Sequence, residues 1–160
     1  MSASPAPSPS RVASSRFAVS TTPGPDRRAA HVLIVDDNEL NLRVATGFCE
    51  LLGFTSAYAR DGLEAVEAVQ AGGFDLILMD ICMPRMDGVE AARLIRSLPG
   101  DLAKVPIIAI TANAEPAEVR NCLQAGMHTV VEKPIRVSRL FDAVCEVFEG
   151  RPDSAVRPGL

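Results

Sequence analysis

Short apolar runs alternate with longer stretches of helical period from residue 31 onward. Each apolar run has the length of a strand, and several are bounded by glycine or proline. The predicted strands cover residues 32–35, 54–59, 74–80, 106–110 and 129–131. Because strands that alternate with helices form parallel sheets covered on both faces, the pattern predicts a doubly wound α/β fold with five parallel strands in the order 2-1-3-4-5.

The helices between these strands are predicted from apolar spacing and from capping residues. Asp61 and Asp87 are each followed three positions later by Glu, which is the spacing of a helix-capping box, and Gly53 is a predicted C-terminal cap. The first helix is predicted from the spacing of Leu40, Val44, Phe48, Leu51 and Leu52. The last helix, over residues 137–148, is predicted to carry on one face Leu140, Phe141, Val144 and Phe148.

Composition separates a folded body from two tails. Residues 1–29 are rich in proline and serine and show no apolar periodicity, so we expect this segment to be disordered. Residues 150–160 are predicted to form a second disordered tail, which leaves a single domain over residues 30–149. Residues 31–149 carry a net charge of −8, which argues against direct binding of this body to nucleic acid. No apolar run is long enough to span a membrane.

The cysteines and histidines offer no metal or redox motif. Four cysteines occur without C-x-x-C spacing, and the chain has only two histidines, so a nitrogen and sulfur metal site is not indicated. We expect reduced thiols in a cytoplasmic protein.

Acidic residues stand at the ends of the first and third predicted strands. Asp36 and Asp37 follow the first strand, and Asp80 ends the third. If these strands are neighbours, the three carboxylates meet at one edge of the sheet, where ligands of such folds bind. A cluster of oxygen ligands without His or Cys side chains suits Mg²⁺. Two simpler interpretations are a helix-capping cluster at Asp36-Asp37-Asn38 and a solvated turn at Asp80.

The residues at the ends of the fourth and fifth strands are a hydrogen-bond donor and a cation, in contrast to the acids. Thr111 closes the fourth strand and Lys133 follows the fifth. A hydroxyl donor and an ammonium group near three acids and a cation describe a site for a transferred phosphoryl group. Asp80 is then the predicted nucleophile, which would form an aspartyl phosphate.

Residues 31–149 resemble the receiver domain of two-component response regulators, a flavodoxin-like fold. The motifs that carry the resemblance are Asp36-Asp37, the segment Met79-Asp80-Ile81-Cys82-Met83-Pro84-Arg85-Met86-Asp87-Gly88, Thr111-Ala112-Asn113-Ala114 and Lys133-Pro134. The amino-acid sequence around Asp80 and Thr111 is similar to that of receivers attached to hybrid histidine kinases.

The resemblance implies a role for each matching position. Asp37, Asp80 and the backbone carbonyl of Cys82 would bind Mg²⁺ directly, and Asp36 would act largely through water. Thr111, Ala112, Lys133 and Pro134 would form the phosphoryl-binding and switch positions, with a cis peptide bond before the proline. Cys82 and Asn113 occupy positions that tune the lifetime of the phosphorylated state.

The sequence departs from the family in two respects, one at the lifetime-tuning positions Cys82 and Asn113 and a larger one at position 130. Val130 stands three residues before Lys133, where receivers usually carry a Tyr or Phe that moves inward on activation. The usual aromatic switch is therefore absent.

The sequence favours a phospho-accepting signalling module over a separate enzyme. The module would accept a phosphoryl group from a histidine kinase or a phosphotransfer protein, and would take part in its own phosphorylation and dephosphorylation. Its output would be a protein target, or onward transfer of the phosphoryl group to a histidine. A phosphate-independent adaptor, or pseudo-receiver, is the alternative. A P-loop nucleotidase is excluded because no G-x-x-x-x-G-K-[ST] motif occurs.

Overall fold

The computed structural model describes residues 29–149. The predicted tails, residues 1–29 and 150–160, lie outside this range except for Ala29. The strands are β1 (His31–Val35), β2 (Thr55–Ala59), β3 (Leu76–Asp80), β4 (Ile107–Thr111) and β5 (Thr129–Glu132). All neighbouring strands are parallel, and their order is β2-β1-β3-β4-β5. The predicted doubly wound sheet is confirmed.

A helix follows each of the five strands, and α5 closes the described chain. Their bounds are α1 (Glu39–Leu51), α2 (Gly62–Ala71), α3 (Gly88–Arg96), α4 (Pro116–Gln124) and α5 (Val137–Glu149). The side chains of Asp61 and Asp87 accept hydrogen bonds from the N–H groups of Glu64 and Glu90, as the capping boxes predict. Gly53 has a φ of +80°, the left-handed conformation that ends a helix. A short 3₁₀ helix, Gly100–Lys104, was not predicted.

Alternate strand residues point into two apolar layers, one on each face of the sheet. Along β1, Val32 and Ile34 belong to the layer covered by α1 and α5, whereas Leu33 and Val35 belong to the layer covered by α2, α3 and α4. Every residue of β3 and β4 is buried. This burial on both faces explains why the central strands read as continuous apolar runs.

The apolar spacing along α1 predicted the helix correctly but identified only part of its buried face. Leu52 is buried and Phe48 packs on the apolar layer, whereas Leu40, Val44 and Leu51 are exposed. The other buried residues of this face are Leu42, Ala45 and Cys49. The buried stripe thus combines large and small apolar side chains, and three large apolar side chains of α1 remain at the surface.

Within residues 29–149, no helix has the length and apolar character needed to cross a membrane. All four cysteines lie in this part of the chain and are unpaired.

Candidate functional site

The carboxylates of Asp36, Asp37 and Asp80 meet at the carboxyl edge of the sheet. Val35 of β1 is in register with Met79 of β3, so the residues that follow each of them are neighbours. One carboxylate oxygen from each of the three acids lies within 4.8 Å of the others. Asp36 and Asp80 are 5% and 3% exposed, whereas Asp37 is exposed. The arrangement offers a cation several oxygen ligands and an open side for water.

Capping of α1 does not account for the acidic pair. The cap is Asn38, whose side-chain oxygen accepts hydrogen bonds from the N–H groups of Leu40 and Asn41. Asp36 supports this turn, since its Oδ1 accepts the N–H of Asn38 at 2.9 Å. Asp37 is therefore not needed as a cap.

Lys133 approaches the acids from the end of β5. Its Nζ lies 3.1 Å from Oδ1 of Asp80 and 3.7 Å from Oδ2 of Asp36. A point cation here offsets part of the repulsion between the two buried carboxylates. Burial lowers the pKa of Lys133, but the hydrogen bond and negative charge of Asp80, together with Asp36, outweigh burial and raise it.

The pKa of Asp80 is raised from 3.8 to about 6. Burial is the largest cause, followed by the negative charge of Asp36, while the hydrogen bond and charge of Lys133 act in the opposite direction. The protein thus holds this carboxylate where its ionised form is costly. A bound cation or a reaction at the carboxylate would relieve that cost.

Thr111 is buried at the end of β4, next to the acidic edge. Its Oγ1 accepts the N–H of Asn113 at 3.1 Å and lies 3.3 Å from the carbonyl oxygen of the same residue. The hydroxyl therefore binds its own loop in this structure, and Ala112 and Asn113 are exposed. The N–H of Lys133 donates to the carbonyl of Thr111 at 2.7 Å, which ties the two strand ends together.

A cleft opens beside Asp37 and Cys82. Its volume is about 670 Å³, and it is bounded by the loop after β3 and by residues of α3 and α4 such as Arg93 and Glu118. Cys82 is exposed. Of the three acids, Asp37 lines this cleft.

Gly88 allows this loop to return close to Asp80. A Cβ atom at residue 88 would overlap the backbone carbonyl of Asp80 and would come within 2.9 Å of the Met79 side chain. The N–H of Gly88 also donates to the carbonyl of Ile81 at 2.9 Å. The sequence indicated Gly88 only as part of a turn, so this requirement was missed.

The remaining predicted positions lie where the strand assignments place them. The Lys133-Pro134 peptide bond is cis, as the resemblance implies. Val130 is half-buried in β5, in register with Ala109, and packs on the apolar layer shared with α2, α3 and α4. The structure thus brings together Asp36, Asp37, Asp80 and Lys133, with Thr111 at the adjoining strand end.

Comparison with known proteins matches this chain to one family. Residues 32–145 match the family model described as the response regulator receiver domain. The chain is 41% identical over 119 residues to the sensor protein GacS of Pseudomonas syringae pv. syringae, a match that covers 73% of this chain and 13% of GacS. Histidine kinase 5 of Arabidopsis thaliana is 34% identical over 138 residues, which span 15% of that protein. The chain thus matches only a small part of each of these relatives.

Solved structures agree with the family match. The receiver domain of sensor histidine kinase PA1611 from Pseudomonas aeruginosa PAO1, which has a magnesium ion coordinated in its active-site cleft, is 37% identical, covers 72% of this chain and 94% of its own, and gives a TM-score of 0.67. A CheX–CheY–BeF₃–Mg²⁺ complex from Borrelia burgdorferi contains a chain that is 31% identical, with coverages of 74% and 89% and a TM-score of 0.68. With the matched family model, the sheet order and the acidic edge all in agreement, this chain belongs to the response regulator receiver domain family of two-component signalling.

Proposed function

We propose that Asp80 accepts a phosphoryl group from the histidine of a histidine kinase or a phosphotransfer protein, and that the phosphorylated domain acts on a protein target. The observation that carries the proposal is the environment of the Asp80 carboxylate, which is buried between two other acids and the Lys133 ammonium at 3.1 Å. Burial beside two other acids destabilises the ionised carboxylate, and a structural role does not require this. Reaction of the carboxylate with a phosphoryl group would remove part of that unfavourable free energy.

Asp80, Lys133 and Thr111 have separate roles in the proposed phosphoryl transfer. With a pKa of about 6, Asp80 is mostly ionised at neutral pH and can attack phosphorus. The new oxygen–phosphorus bond forms as the bond to the donor nitrogen breaks, and the electron pair of that bond leaves with the imidazole. Lys133 balances the charge on the phosphoryl oxygens. Thr111 can turn its hydroxyl from Asn113 toward them, since it sits at the adjoining strand end.

The acidic edge fits Mg²⁺. Its ligands are all oxygens, two of the acids are buried, and the third faces the open cleft. We propose Asp37, Asp80 and the carbonyl of Cys82 as direct ligands, with Asp36 acting largely through water. When bound, the ion supplies positive charge that offsets the phosphoryl oxygens during transfer. The magnesium ion in the related PA1611 receiver supports this assignment.

Labelling with a small phosphodonor such as phosphoramidate tests the proposal. In the presence of Mg²⁺ the protein should gain the mass of one phosphoryl group, and hydroxylamine should remove it, as it removes acyl phosphates. Asp80→Asn and metal-free samples should remain unlabelled, while the control Asp101→Asn, an exposed acid, should label like the wild type. Persistent labelling of Asp80→Asn contradicts the assignment. Failure of the wild type to accept a phosphoryl group from any donor favours the phosphate-independent adaptor.

We propose that the domain comprises residues 30–149 and that residues 1–29 and 150–160 are not part of it. A protein truncated to residues 30–149 should therefore melt at the same temperature as the full chain and label at the same rate. A lower melting temperature or a slower reaction would show that a tail contributes to the body. We further propose a cytoplasmic location, which the unpaired cysteines support.

A further inference from the structure

The loop that follows Asp80 contains a strained residue, Arg85. Its φ of +65° places it in the left-handed region, and within residues 29–149 it is the one residue other than glycine found there. Side chains with a Cβ atom adopt this conformation at a cost, and such residues persist where surrounding contacts fix them. The contacts of Arg85 therefore indicate what fixes the loop.

Arg85 binds Asp61, the N-terminal cap of α2. Its Nη2 and Nε atoms lie 2.6 and 2.9 Å from Oδ2 of Asp61. The other oxygen, Oδ1, accepts the N–H of Glu64 at 2.9 Å, so both oxygens of this carboxylate are used. Burial alone would raise the pKa of Asp61, but these hydrogen bonds and the charge of Arg85 lower it. Asp61 is buried although the Arg85 side chain is more than half exposed.

The next residue of the loop is attached to the same helix end. The carbonyl of Met86 accepts the N–H of Gly62 at 3.2 Å. A Cβ atom on Gly62 would come within 2.7 Å of both the carbonyl oxygen and Cγ of Met86, so the two backbones can approach only because residue 62 is glycine. The loop is thus held by an ion pair, a backbone hydrogen bond and close packing, all at the start of α2.

We propose that the Asp61–Arg85 ion pair positions the loop of residues 81–87 and thereby sets the affinity of the acidic edge for Mg²⁺. The proposal rests on the proposed function, in which the Cys82 carbonyl is a metal ligand. Cys82 lies between two fixed points, the end of β3 at Asp80 and the α2 anchor at Arg85 and Met86. Loss of the ion pair leaves the backbone hydrogen bonds of Ile81 and Met86 in place, and we expect the segment between them, which contains the Cys82 carbonyl, to become more mobile. Asp61 and Arg85 are positioning residues, since neither forms a hydrogen bond or an ion pair with the three acids in the structure.

Asp61 and Arg85 carry opposite charges, so variants of the two residues distinguish an effect of loop position on Mg²⁺ affinity from a direct electrostatic effect. Asp61→Asn keeps an oxygen to cap α2 but removes a negative charge, so a field effect alone weakens Mg²⁺ binding. Arg85→Gly removes a positive charge and the left-handed strain, so a field effect alone strengthens it. Positioning predicts that both variants bind Mg²⁺ more weakly. Groups that support metal ligands change metal affinity by roughly 10–100-fold, and this pair is one step further away, so we expect about a threefold to tenfold loss.

The experiment measures Mg²⁺ affinity by calorimetry, and amide hydrogen exchange of residues 81–87 in metal-free protein. Both variants should lose affinity, both should exchange faster in this loop, and the double variant should be no worse than the weaker single one, because one contact is lost in all three. Arg43→Ala, which breaks the exposed ion pair with Glu39, is the matched control and should leave loop exchange unchanged.

Three results overturn the proposal: opposite changes of affinity in the two variants, unchanged loop exchange, or additive losses in the double variant. Absence of Mg²⁺ binding by the wild type instead refutes the metal assignment of the proposed function. The exchange of residues 81–87 without metal then decides whether the ion pair positions the loop.

Discussion

Replacement of Asp80 by Asn should stabilise the metal-free protein in a way that depends on pH. The pKa of Asp80 is raised from 3.8 to about 6 in the folded protein, mainly by burial and by the charge of Asp36. The folded state therefore holds this proton more tightly than the unfolded state does. The resulting penalty is absent below pH 3.8, grows as the pH rises, and is complete above pH 6. A shift of this size corresponds to about 3 kcal/mol.

Asn has nearly the same shape as Asp but no charge, so the variant avoids the penalty. Lys133 keeps Asp36 as a partner at 3.7 Å, so no buried cation is left alone. Chemical denaturation without metal should show a gain of about 3 kcal/mol at pH 7.5 and less than about 1 kcal/mol at pH 4. At pH 7.5 this gain corresponds to a rise of roughly 10 °C in melting temperature.

Mg²⁺ should reduce the difference at pH 7.5, because it binds the folded wild type and stabilises it by mass action. Asp101→Asn, at an exposed acid 3.7 Å from Lys104, is the control and should show no comparable gain. Two results would contradict this prediction: an Asp80→Asn variant no more stable than the wild type at pH 7.5 without metal, or an equally large gain at pH 4.

Further predictions concern the other groups of the site. Asp37→Ala should also raise the metal-free melting temperature, by less than Asp80→Asn because Asp37 is exposed. Calorimetry should show that this variant no longer binds Mg²⁺. A lower melting temperature would show a structural role of Asp37 that outweighs repulsion between the acids. Lys133→Met should cost about 3 kcal/mol in denaturation at pH 7.5 and less at pH 4, where Asp80 is protonated; equal losses would contradict the charge argument. Amide NMR shifts on addition of Mg²⁺ and beryllium fluoride should be large near Asp80 and over residues 111–119, and small over residues 129–131; large shifts across the latter would show that β5 carries the signal.

The sequence predicts the fold well because its signals are local and agree with one another. The strands are short apolar runs, and Asp61, Asp87 and Gly53 mark helix ends by side-chain or backbone chemistry that needs no distant partner. The buried face of α1, in contrast, is not determined by a local signal. The helix carries two apolar stripes, and both have the spacing of a buried helix face. The stripe with Ala45 and Cys49 faces the sheet, and periodicity alone cannot show this.

The acids and Lys133 could be placed together from the sequence because parallel strands end at the same edge of a sheet. The link between Asp61 and Arg85 could not. These residues are 24 positions apart, and each has a sufficient local explanation as a cap or as a surface arginine. Their pairing depends on the left-handed turn at Arg85, which sequence patterns assign to Gly or Asn rather than to Arg.

Position 130 carries valine instead of an aromatic residue, and this bears on which segment would change conformation on phosphorylation. Val130 is half-buried against a fixed apolar layer and has no ring that could exchange between two pockets. Thr111 has a clear alternative state, because its hydroxyl now binds the backbone of Asn113 and must release those hydrogen bonds to reach a phosphoryl group on Asp80. The loop after β4 loses internal support at that moment. Phosphorylation can shift its population only by the free energy that the phosphoryl group gains from the second arrangement. We therefore expect the β4–α4 loop and the start of α4, rather than β5, to report phosphorylation to a partner.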